Sequence, residues 1–113
     1  MATWSYDKAQ KTGLLVLDAD LTVSCVGEIR EQLLRGFKEA ASLVIDLTAT
    51  GAIDVAGLQL LCATHRFAVK SGKPVAIKGA GERYRELVRA VGFDRGTFCA
   101  DGCGNLCFFI GMA

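Results

Sequence analysis

The feature that most constrains this chain is an alternation. Short apolar runs rich in branched residues trade places with longer stretches whose apolar residues recur three and four positions apart. Leu14-Leu15-Val16-Leu17 follows Gly13 as a compact run suited to a buried strand. Val26, Ile29, Leu33, Leu34 and Phe37 then fall on one helical stripe, with Thr22 and Ser24 ahead of it as N-cap hydroxyls. Leu43-Val44-Ile45-Asp46-Leu47 returns to the strand pattern, its centre branched at Cβ. After Asp54 the spacing is helical again, through Leu58, Leu61, Cys62, Phe67, Ala68 and Val69. Ser71-Gly72-Lys73-Pro74 ends that helix, because glycine caps it and proline cannot continue it. Val75-Ala76-Ile77 is a further short strand, and Gly79-Ala80-Gly81 a turn. Tyr84, Leu87, Val88 and Val91 make a last amphipathic helix closed by Gly92, while Thr3 to Tyr6 supplies a first strand.

Strands separated by helices need crossover connections. The fold class is therefore α/β, a mixed, mostly parallel sheet with amphipathic helices. The first strand suits an antiparallel place at one edge. No repeat, low-complexity tract or linker interrupts the 113 residues. The expected organisation is one domain over 1–113, with a core over about 14–92 and a Cys/Gly-rich tail over 93–113. Within that tail, Leu106 to Ile110 is an apolar run able to add a strand or cover the sheet.

Composition narrows the function classes. Hydrophobic residues make up 51% and charged residues 22%, a globular balance that needs no metal or disulfide staple. A net charge of +1 gives no bulk attraction to nucleic acid or to an anionic membrane. No apolar run is long enough to insert in a bilayer, and Met1 to Lys11 lacks the apolar stretch of a signal peptide. The expected location is the cytoplasm.

The five cysteines are an odd count, which argues against a disulfide framework. Cys25 and Cys62 sit in apolar segments and read as small core residues. Cys99, Cys103 and Cys107 recur every four residues around Gly102 and Gly104. They offer three sulfurs where a structural zinc site takes four donors, so free thiols and no bound metal are expected. A small thiol- or metal-dependent protein built on these three is the alternative.

Chemistry-bearing patterns are sparse. His65 is the only histidine and reads as a surface or boundary residue, with no Ser or Cys partner at a recognisable spacing. Gly79-Ala80-Gly81 lacks the Gly-Lys-Ser/Thr ending of a phosphate-binding loop. No catalytic residue, cofactor or enzymatic activity is assigned. What meets at the carboxyl ends of the strands, where α/β sheets gather their binding sites, is Asp46 and the turn Ile53-Asp54-Val55-Ala56-Gly57-Leu58. Asp54 reads as an N-cap, and Gly57 either admits another backbone closely or fits a tight turn. The two carboxylates form either a pair or, as the simpler reading, one helix cap and one strand-end carboxylate.

Leu43-Val44-Ile45-Asp46-Leu47, then Ile53-Asp54-Val55-Ala56-Gly57-Leu58, then Gly72-Lys73-Pro74-Val75 resemble the STAS domain. That family includes anti-sigma factor antagonists and the cytosolic domains of sulfate transporters. The resemblance runs from about Leu14 to Gly92. It implies the STAS fold and a bacterial protein-interaction module in signal transduction. It also implies a protein partner, an anti-sigma factor or serine-kinase-like ATPase, met through the loop and helix starting at Asp54: Asp54, Val55, Ala56, Gly57, Leu58 and Leu61. In switching antagonists the residue after the signature aspartate is a serine or threonine that a partner kinase phosphorylates. Here the phosphosite-equivalent position is Val55, followed by Ala56, and neither has a hydroxyl. The alternatives within the resemblance are a STAS subunit of a lipid ABC transporter and a chemotaxis-associated STAS protein.

Overall fold

The alternation folds as strands and helices in the expected order over residues 2–91, the part of the chain that the computed structural model describes. Strands β1 (Ala2–Asp7) and β2 (Thr12–Leu17) lead into helix α1 (Val26–Glu39) and strand β3 (Ser42–Asp46). Helix α2 (Val55–Ser71), strand β4 (Val75–Lys78) and helix α3 (Glu82–Val91) follow. The sheet order is β1-β2-β3-β4. β1 runs antiparallel to β2, and β2, β3 and β4 are parallel. Register sets Trp4 opposite Leu15, Leu15 opposite Ile45 and Ile45 opposite Ile77, one continuous apolar row across the sheet.

Because successive strand side chains point to opposite faces, this register sorts the sheet into two sides. Leu15, Leu17, Leu43 and Ile45 are buried, while Leu14, Val16 and Val44 between them are half-buried. The buried side packs with Ile29, Leu33 and Phe37 of α1, Leu58, Leu61 and Ala68 of α2, and Tyr84 and Val88 of α3 in one core. Burying a leucine fully contributes about 1.5–3 kcal/mol. Cys25 and Cys62 pack half-buried against this core, in keeping with the sequence reading.

Three details position the elements. The Trp4 indole lies against two glycines: a Cβ at Gly13 of β2 would meet it at 2.0 Å and one at Gly36 of α1 at 2.9 Å. The edge strand is thereby keyed to the first helix. Gly72 ends α2 in the left-handed conformation at φ 68°, its N–H bonded to the Ala68 and Val69 carbonyls. Lys73, next in the chain, donates its ammonium to the Phe37 carbonyl in the last turn of α1, where a cation complements the helix dipole.

The structure corrects the sequence reading at three places. Thr22 and Ser24 do not cap α1; their hydroxyls bond each other at 3.1 Å, and the N-cap residue is Cys25, without a side-chain cap. The Thr22 backbone carbonyl accepts from Cys25 and Val26 N–H instead. His65 is not a surface or boundary residue but is 4% exposed. Leu58, Leu61, His65 and Ala68 are three or four positions apart and share the inward stripe, which leaves Phe67 and Val69 outside it, each about two-fifths exposed. Gly92, Cys99, Cys103, Cys107 and the run Leu106 to Ile110 lie outside the described residues.

Candidate functional site

The turn between β3 and α2 is built on two aspartates that each accept hydrogen bonds from nearby backbone or side-chain donors. Asp46, at the end of β3, accepts from the Thr48 hydroxyl at 2.6 Å and the Thr48 N–H at 2.9 Å. Lys78 at the end of β4, its own side chain largely exposed, stands 3.8 Å from the other Asp46 oxygen, a long and therefore weak ion pair. The Thr48 hydroxyl and N–H, aided by Lys78, hold the Asp46 carboxyl below the usual carboxylate range against a smaller opposing effect of burial. Gly79, at φ 73°, closes over this turn, and a Cβ there would meet the Thr48 hydroxyl at 2.0 Å.

Asp54 is the N-cap of α2, extended at φ −124° and ψ −178°. Its Oδ1 accepts from Gly57 N–H at 3.0 Å, and its Oδ2 from Val23 N–H, also at 3.0 Å. The first bond satisfies an otherwise unpaired donor of the helix. The second reaches 31 residues back to the loop between β2 and α1. These two N–H groups, Gly57 foremost, hold the Asp54 carboxyl below its usual range.

The same two loops are stitched by backbone. Leu21 and Ile53 form a parallel bridge, with Leu21 N–H donating to the Ala52 carbonyl at 2.8 Å and Asp54 N–H to the Leu21 carbonyl at 3.2 Å. Asp20 accepts from Ala52 N–H, and the Thr50 hydroxyl donates to the Leu17 carbonyl. Gly57 resolves in favour of close backbone approach: a Cβ there would meet the Leu21 carbonyl oxygen at 2.2 Å.

Geometry divides the expected site residues. Val55 is 42% exposed at the first position of α2, and Ala56 is half-buried. Leu58 and Leu61 are 0% exposed, so they shape the helix from beneath and present no side chain to a partner. The residue that sequence reasoning missed is Val23, 72% exposed and tied by its own N–H to Asp54. No spacing rule marks it, because it belongs to a loop and not to a stripe.

The carboxylates Asp46 and Asp54 share no hydrogen bond, and the groups that depress each are distinct. A shared proton would raise one of them. Among the described residues no group of three or more His, Cys, Asp or Glu side chains is placed to hold a metal. No helix among them is long and apolar enough to cross a membrane.

A sequence profile described as Mlab, STAS domain matches residues 4–101. The chain belongs to the STAS-domain family. The STAS match starts earlier and ends later than the span over which the residues alone suggest it. Solved STAS-type structures are similar in fold. The anti-sigma factor antagonist SpoIIAA in its unphosphorylated form superposes with a TM-score of 0.66 at 14% identity, over 81% of each chain. An anti-sigma factor antagonist from Mycobacterium paratuberculosis gives 0.65 at 18% identity, covering 84% of this chain and 81% of that one. The STAS domain of an antisigma-factor antagonist from Rhodobacter sphaeroides gives 0.62 at 22% identity, covering 74% and 92%. No curated protein sequence matches this STAS chain.

Proposed function

We propose that this chain is a non-enzymatic protein-interaction module of the anti-sigma factor antagonist type, serving bacterial signal transduction in the cytoplasm. It docks an anti-sigma factor or kinase-like ATPase through the exposed rim around Asp54. The supporting observation is that two exposed valines are both held next to one ionised carboxylate that fixes both loops, Val23 through its own N–H and Val55 as the chain neighbour of Asp54. An apolar pair around a rigid anchor suits recognition, where a few well-placed groups dominate the energy. Two carboxylates held ionised, Asp54 occupied by two N–H donors and Asp46 by the Thr48 N–H and hydroxyl, suit neither general acid nor nucleophile.

Val55 and Ala56 offer no acceptor oxygen for phosphate, so docking at this turn is not switched by phosphate at those two positions. The same observation favours a second reading, a permanent STAS subunit such as that of a lipid ABC transporter, which needs no switch at this turn. Immobilised native protein tests both. Val23→Glu and Val55→Glu change exposed positions, so they are expected to keep the melting temperature while weakening retention of the partner about tenfold or more. Equal retention by both variants would remove the rim from the interface. Identification of the retained protein as an ATPase signalling factor or as a transporter component separates the two readings. Val55→Ser, incubated with ATP and a related anti-sigma kinase, is expected to gain a phosphate that the parent chain does not accept there.

A further inference from the structure

A second face of the molecule lies along the two packed helices, away from the Asp54 rim. Between α1 and α2 runs a groove of about 170 Å³ lined by Leu34, Phe37, Leu60, Ala63, Phe67 and, at one side, Arg30. A second hollow of about 290 Å³ shares Ala63 and Phe67 and is bounded by Arg66 and Lys70. Phe67, with Ala63, therefore borders both. It is 42% exposed even though its ring meets Phe37 edge-on at a centroid distance of 5.1 Å. No acidic side chain lines either hollow, and α2 carries no Asp or Glu from Val55 to Ser71. That segregation occurs in a chain whose totals nearly balance, 13 basic against 12 acidic residues.

We propose that this groove is a second docking surface, independent of the Asp54 rim, and that its occupant is an acidic amphipathic helix of a partner protein. The apolar floor takes side chains recurring at helical spacing, and Arg30, Arg66 and Lys70 meet the carboxylates flanking them. The concavity selects a protein segment over a bilayer: a flat anionic membrane meets the cations but sends nothing into a hollow between helices. Three cations on a chain of net charge +1 also give a membrane little to hold.

The test uses fluorescence anisotropy of a fluorescein-labelled amphipathic peptide with leucines at helical spacing and glutamates between them. Its partners are the wild-type chain, the double variant Arg66→Glu/Lys70→Glu, and Ala63→Trp, which fills the groove from an exposed position. Circular dichroism checks that each variant keeps its helices. The expected result is binding by the wild type, weakened about tenfold or more by either variant. The double variant is also expected to gain binding to a peptide with lysines in place of the glutamates. Equal binding by all three chains overturns the proposal. Loss in the double variant with Ala63→Trp unaffected also overturns it, because attraction by charge alone would then suffice. Sedimentation with phosphatidylglycerol vesicles while the peptide stays unbound replaces it with a membrane surface. The Asp54 rim is untouched by these variants, so none of these outcomes decides the reading built on Val23 and Val55.

Discussion

Asp54 divides its two oxygens between two loops, one accepting from Gly57 N–H and the other from Val23 N–H. Asparagine cannot imitate this, since its amide nitrogen would face an N–H donor. Both Asp54→Ala and Asp54→Asn are therefore expected to lower the melting temperature by about 4–8 °C, with asparagine giving no full rescue. Scanning calorimetry of the three chains checks it. The pH dependence follows from the same bonds. A carboxylate whose folded pKa lies below its unfolded value of 3.8 stabilises the fold fully above that value and loses the contribution as pH falls through the folded pKa. Asp46 and Asp54 both act in this direction. The difference in melting temperature between wild type and Asp54→Ala is thus expected to be constant near neutrality and to shrink below about pH 4. A gap that widens in acid would contradict the assignment.

At the scale of elements, the strands and helices were legible because burial imposes period two on β2 and β3 and a three-to-four period on α1 and α3. The α2 stripe was legible only in part. Phe67 and Val69 are apolar but off the inward face, and His65 is polar but on it, so hydrophobicity and orientation disagree at those positions. The cap of α1 was misread because Thr22 contributes its carbonyl and not its hydroxyl, a choice of backbone geometry that residue identity does not encode. In the site, Asp54 and Gly57 were legible from local chemistry. Val23 was not, because its place beside Asp54 arises from a contact across 31 positions. The packing of β1 on α1 offers a direct measurement. Trp4 is the chain's one tryptophan and fits only because Gly13 and Gly36 lack Cβ atoms. Gly13→Ala is expected to displace the indole, shift its fluorescence emission to the red and cost about 1–3 kcal/mol in urea unfolding. An unshifted spectrum would mean that the strand yields and the indole does not.

At the scale of the molecule, the four strands among the described residues, with β1 antiparallel at one edge, carry the Asp54 rim at one end and the helix groove along one flank. The STAS fold positions the rim by bringing the loop after β2 beside the loop after β3, through the Leu21–Ile53 bridge and the bond from Val23 to Asp54. The surface so formed is a discontinuous epitope. Neither loop owns it, and no linear fragment reproduces it. Synthetic peptides spanning residues 18–26 or 50–60 alone are expected to compete for the partner at least about a hundredfold less well than the intact chain, measured by displacement. Under the proposed docking, binding at the rim doubles as quality control. A partner that engages Val23 and Val55 together can hold only molecules whose sheet is already assembled, and it passes over nascent or proteolysed chains carrying the same residues.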